Sequence, residues 1–308
     1  CHRRVYILMA WGRGELFALE PGDQLPLKRL GPTFALIAAS AVVIAATVKP
    51  LFLTANPLKM LPWMFLGCAA FTAVSSIAYV ATMRHHGLRR RFPFLLGATI
   101  TSFVLLRLAF PIDRQLISMV AYIWAPGIGN LVIMQAWNMG STLLPTRQAK
   151  RLFPVLAGIA TAGAAIGGGL AQALTKWLPA ENLLWLAALL LAVPLFRVRA
   201  VIDALEASMP DDTQETRAPR LNEDKPGKGK AREPNEVVRG FQNLIEHPLL
   251  SRLAVLVFLI QAASVLVDYQ FSGELKASFD KNEMASFLGS FYWVSNLTGF
   301  VLTLFATG

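Results

Sequence analysis

The chain has 308 residues, of which 55% are hydrophobic and 16% charged, with a mean hydropathy of +0.49 and a formal net charge of +10. Soluble globular chains carry about 25% charged residues, so this composition excludes a soluble domain and predicts a polytopic membrane protein. Two cysteines, Cys1 and Cys68, exclude a disulfide framework.

In chain order, Cys1 reads as the start of a truncated chain in preference to the first residue of a mature lipoprotein. Residues 1–31 form a basic segment. A membrane span needs about 20 largely apolar residues, and the first is predicted over Thr33–Thr54, with Lys49 well inside it. The second covers Leu61–Met83. Arg84, His85, His86 and Arg89–Arg91 follow. The two histidines have no cysteine or carboxylate nearby, so no metal site is expected.

The third span, Phe92–Ile112, contains Arg107. The fourth is Leu116–Met139, in which Pro126 of "APGIGN" is expected to break the helix. A 3.6-residue period puts Asn130, Trp137, Asn138 and Ser141 on one face, with Gln135 off it. Amides and an indole so placed suit the edge and face of a base, or hydrogen bonding between neighbouring helices.

The fifth span, Leu152–Leu174, belongs to "RQAKRLFPVLAGIATAGAAIGGGLAQAL". Gly163 and Gly168 have P-loop spacing, but Gly169 and Leu170 stand where lysine and a hydroxyl are required. A dinucleotide site is excluded by the polar run before the glycines and the lack of an acid until Glu181. Gly158, Gly163, Gly167, Gly168 and Gly169 read instead as a helix-packing strip, since small residues let membrane helices approach closely.

Leu183–Val198 is a shorter sixth span. Ala200–Glu246 is polar and rich in Pro, Lys, Asp and Glu, as in a flexible linker. A short surface helix is expected over 237–245. The seventh span is Leu249–Tyr269, with Asp268 and Gln270 at its end, and the eighth is Met284–Phe305. Trp63, Trp177 and Trp185 fall near span ends, as belt residues do.

Lysine and arginine crowd into the segments before span one and between spans two and three, four and five, and six and seven. The other side holds only Lys49, Lys59, Arg107, Arg114, Lys176, Lys276 and Lys281. The amino terminus is therefore expected in the cytoplasm, and the positive charge reads as topology, with no nucleic-acid partner. The interiors of spans one to six contain no Asp or Glu, leaving Asp268 as the one candidate for a carboxylate relay. Buried cations with few anions suit an anionic substrate. Lys49 and Arg107 either line a central cavity or snorkel to the headgroups.

Six spans, a long cytoplasmic loop and further spans resemble the plan of the major facilitator superfamily. On that plan residues 1–31 are a cytoplasmic segment, 32–198 a six-helix half, 199–247 the inter-half linker and 248–308 the first two helices of the second half. The chain would then be an all-α fragment holding about eight of twelve transmembrane helices. Within that superfamily, "MQAWNMGSTLLPTRQAKRLFP" and the glycine-rich helix after it resemble the bacterial and plastid ATP/ADP translocase-like nucleotide transporters. "VKPLFL", "VDYQFSGELKASF" and "MASFLGSFYWVSNLTGF" resemble stretches of the same family, in the same order. The sequence departs from that pattern in two places. Leu51, Phe52 and Leu53 follow Lys49–Pro50 where a second charged residue is common, and Ser272 replaces the lysine after "DYQF".

The resemblance implies alternating-access transport in a bacterial inner membrane, with ATP/ADP-type exchange as the specific expectation and no enzymatic activity or cofactor. Lys49, Arg107, Asn130, Trp137 and Asn138 are the expected substrate residues. Asp268 and Gln270 are the expected gate, pairing with Lys49 or Arg107 across the halves. A carrier of another organic anion, or a non-transporting scaffold with the same fold, are the alternatives.

Overall fold

The computed structural model describes residues 20–83, 87–207 and 248–306. The histidine pair, most of the linker, the 237–245 helix and Cys1 lie outside them. The described residues form eight long helices, with no strand among them. These are α1 (Gln24–Ala55), α2 (Leu61–Met83), α3 (Leu88–Ala109), α4 (Arg114–Leu143), α5 (Thr146–Leu174), α6 (Leu183–Glu206), α7 (Pro248–Ser278) and α8 (Lys281–Ala306). Seven are long and apolar enough to cross a membrane. The eighth expected span lies within α8, which is long enough but carries Ser286, Ser290, Tyr292, Ser295, Asn296 and Thr298 along its length.

Three boundaries differ from expectation. Helix α1 begins at Gln24, nine residues before the apolar run at Thr33. Polar bonds hold the residues before it: Glu20 and Asp23 form a capping box on the single 3-10 turn Pro21–Asp23, and Asp23, buried, accepts from Gln148 (3.0 Å) and Arg151 (3.3 Å) of α5. Helix α6 does not stop at Val198 but runs to Glu206, with Val201, Ile202 and Leu205 buried. Arg89 at the start of α3 pairs with Asp203 (2.8 Å) and with Glu206. The linker therefore begins later than residue 199, because apolar residues at helical spacing continue beneath the charges.

The third difference is Pro126, which does not break α4; the helix is continuous from Arg114 to Leu143. Proline removes the hydrogen bond to the carbonyl four residues earlier, here Tyr122, and membrane helices tolerate this when a neighbour satisfies the freed group. The Cys68 thiol of α2 does so, donating to the Tyr122 carbonyl at 3.3 Å. Cys68→Ala is expected to lower stability by about 0.5–1 kcal/mol, while Cys68→Ser keeps a donor and holds the parent value. Thermal unfolding of the purified protein in detergent compares the two.

Helix α1 is the most enclosed helix and packs against α4, α5, α6 and α8. Its contact with α5 is backbone to backbone. A Cβ added at Gly163 would lie 2.3 Å from the Ala35 carbonyl oxygen, and one at Gly167 2.4 Å from that of Ala39. The rising numbers on both sides show the two helices running parallel. On another face of α5, a Cβ at Gly168 would lie 2.7 Å from the Trp293 nitrogen of α8, and one at Gly289 of α8 2.7 Å from the Gln172 nitrogen. Helix α5 is thus wedged between α1 and α8. Gly169 meets the Trp293 side chain at 3.3 Å, and Gly158 has no atom closer than Phe300 at 3.8 Å.

Helix α7 leans on the bundle at one end only. None of residues 249–267 is buried, and the helix buries Ser272 and Leu275 near its far end. Here α1 ends at Asn56 and α7 passes beside it. The opposite end of the bundle is marked by Asp23.

Candidate functional site

The site forms at the Asn56 end, where α1, α4, α7 and α8 meet. Lys49 lies six residues before the end of α1, about 9 Å along the axis at 1.5 Å per residue. It is 9% exposed, and its ammonium forms an ion pair with the Asp268 carboxylate of α7. Phe271 is one turn after Asp268 and faces the same way, so its ring centroid sits 5.3 Å from the Lys49 Nζ, within cation–π range. Ser272, the next residue, donates to the Asp268 carbonyl at 2.6 Å and anchors that turn.

Further aromatic rings lie next to Phe271 and on the facing helices. Phe271 packs on Phe287 and Phe291 of α8, with centroids 6.4 and 5.7 Å away. Tyr122 of α4 packs on Phe52 of α1 at 4.8 Å. Tyr122 and Tyr292 both lie within electrostatic reach of Asp268. An interior cation is thereby held by one carboxylate and one ring face, with no further charge paired to it among the described residues. Such a cation suits exchange of its carboxylate for another anion.

The expected substrate residues divide. Lys49 and Asp268 come together across α1 and α7. Gln270 does not join them: two residues along α7 from Asp268, it lies exposed on another side of the helix. Arg107 has a different partner from Lys49, donating through Nε (2.9 Å) and Nη2 (2.7 Å) to the Asn182 side-chain oxygen at the start of α6. Trp137 is held in an aromatic cluster, edge-on to Phe34 of α1 (4.9 Å) and Phe153 of α5 (5.6 Å). Asn138 is half-buried with its amide nitrogen unpartnered, and Asn130 is exposed. Gln135, set aside on periodicity, is fully buried and accepts from the Tyr79 hydroxyl of α2. That bond ties α4 to α2.

Sequence reasoning missed Tyr122, Phe271 and Tyr292. The signal for Phe271 was available, since residues three apart on a helix share a face. Tyr122 and Tyr292 needed the helix packing to be known. Of the five glycines read as a packing strip, Gly163 and Gly167 meet Ala35 and Ala39 and Gly168 and Gly169 meet Trp293, whereas Gly158 has no close neighbour.

Together the helices describe a helical integral membrane protein, with large apolar side chains such as Phe94, Leu108, Ile166 and Phe196 exposed around the bundle. Trp63 near the start of α2, Trp185 near the start of α6 and Trp177 in the turn between α5 and α6 are exposed at the Asn56 end. No family model, curated protein or solved structure matches the chain.

Proposed function

We propose that this protein is a secondary membrane carrier for an organic anion, working by alternating access with Lys49 as the anion's counter-charge. The observation that carries this reading is the buried Lys49, neutralised by a carboxylate from a helix that leans on the bundle only at that end. An incoming anion competes with Asp268 for the Lys49 ammonium. Displacing Asp268 removes a link between α1 and α7, so binding and opening of the Asn56 end are coupled. The distribution of lysine and arginine makes that end the outer one. Lys49 binds phosphate or carboxylate as a point charge.

Within this class, ATP/ADP-type exchange is the specific substrate reading, and its support is the motif resemblance. The aromatic packing of Trp137 supplies no such support, because its ring is engaged with Phe34 and Phe153. A non-transporting scaffold is the second reading, favoured by Lys49 already having its partner within the chain.

Thermal stability in detergent separates them. ATP, ADP, inorganic phosphate and a dicarboxylate are added singly to the purified protein. A carrier is stabilised by its anion through mass action, by about 2.7 kcal/mol at a hundred times Kd, and Lys49→Ala removes that gain. Stability that no anion raises, or a gain that persists in Lys49→Ala, contradicts the site.

A further inference from the structure

The turn between α5 and α6 is a junction for three polar links. The Asn182 side-chain oxygen takes both Arg107 donors from α3, at 2.9 and 2.7 Å. Next to it, Glu181 pairs with Lys281 at the start of α8 (2.6 Å), with its side chain only 12% exposed. The Ala180 backbone N–H donates to the Asn282 side chain at 3.0 Å. Beneath these links lies a small apolar cluster separate from the main core: Leu51 of α1, Phe110 after α3, Ala180 of the turn and Ala285 of α8, all nearly inaccessible. Polar links thus lie over an apolar plug at the Asn56 end, where α8 meets the first six helices.

We infer that Arg107 is a positioning residue for this clasp, holding the 180–182 turn in place to receive α8, and does not act as an anion ligand. The geometry supports the assignment in two ways. Two of its guanidinium nitrogens converge on one neutral oxygen, which fixes the turn's direction as well as its distance. The two residues just before that contact in the turn, Ala180 and Glu181, are those that reach α8. The plug also borders the α1 segment of Lys49, through Leu51 two residues on. The clasp and the Lys49–Asp268 pair are therefore two separate closures of the same end, one on α8 and one on α7. That releasing the clasp opens a transport path rests on the carrier reading; the clasp itself does not.

Thiol accessibility of the plug tests this. Ala285→Cys is introduced with Cys1→Ser and Cys68→Ser, and the protein is reconstituted in liposomes and treated with a membrane-impermeant methanethiosulfonate without substrate. The parent thiol is expected to react slowly. Arg107→Gln and Asn182→Ala each raise the rate about tenfold, as loss of a charge-assisted hydrogen bond allows, and the double variant goes no further because both remove one contact. Glu181→Lys speeds labelling, and adding Lys281→Glu restores protection. Should Arg107→Gln fail to fold, Asn182→Ala and the charge reversal carry the test alone. Unchanged labelling in Arg107→Gln and Asn182→Ala overturns the assignment. So does a slow Arg107→Lys beside a fast Arg107→Gln, since charge without the two-donor geometry would then suffice. No anion enters the measurement, so its outcome is independent of whether transport is found.

Discussion

Gly163→Ala is expected to cost about 3 kcal/mol or more, and Gly167→Ala to do the same, although alanine is the better helix former by roughly 1 kcal/mol. The reason is distance. The new methyl would stand 2.3 Å from the Ala35 carbonyl oxygen or 2.4 Å from that of Ala39, and backbone cannot turn aside as a side chain can. Helix α5 would have to move off α1, which is packed on its other sides by α4 and α6. Gly158→Ala is the control, because its nearest neighbour is the Phe300 ring at 3.8 Å; it should be neutral or slightly stabilising. Unfolding midpoints of the three variants in one detergent check the set. Equal midpoints for Gly158→Ala and Gly163→Ala would show that the close approach of α1 and α5 is not maintained.

Lys49→Ala is expected to abolish anion exchange while the protein still reaches the membrane. Removing one partner of a fully buried ion pair costs about 3–5 kcal/mol. Here the Asp268 side chain is 38% exposed, so solvent relieves part of the loss and about 1–3 kcal/mol is the expected penalty. Asp268→Asn separates binding from closure. It leaves Lys49 charged and removes the internal competitor, so anion affinity rises while closure at the Asn56 end weakens. The charge-reversed pair, Lys49→Asp with Asp268→Lys, restores stability without restoring exchange, because its cation now stands on α7. Uptake and unfolding midpoints measured on the same preparations give both halves of the comparison. Recovery of uptake in the reversed pair would mean that only the link between helices matters.

The helices were legible because lipid imposes a strong rule. Each span must be long, apolar and internally hydrogen-bonded, and that pattern is written in consecutive residues. Their ends were less legible. Asp23, just before α1, is held by bonds from Arg151 and Gln148, more than a hundred residues away. Pro126 looked like a break because its local effect is to free the Tyr122 carbonyl, and nothing near it in the chain reveals that Cys68 supplies the donor. At the site, Lys49 and Asp268 stood out because charges inside spans are rare. Their pairing followed from charge and depth, whereas the pairing of Arg107 with Asn182 did not. Helical periodicity places a residue on a face, yet the identity of the helix opposite is a tertiary fact. The same limit hid the partners of Trp137 and Gln135: the indole packs on Phe34 of α1, and the Gln135 amide accepts from Tyr79 of α2.

Counter-exchange in proteoliposomes addresses the carrier reading most directly. Vesicles holding the reconstituted protein are loaded with unlabelled ADP, or with another anion that stabilises it in detergent, and labelled ATP or that same anion is added outside. The account predicts uptake that requires the internal anion and disappears in Lys49→Ala. Absence of uptake for every such anion, from protein that folds and inserts normally, would contradict it and leave Lys49 and Asp268 as a fixed link between two helices.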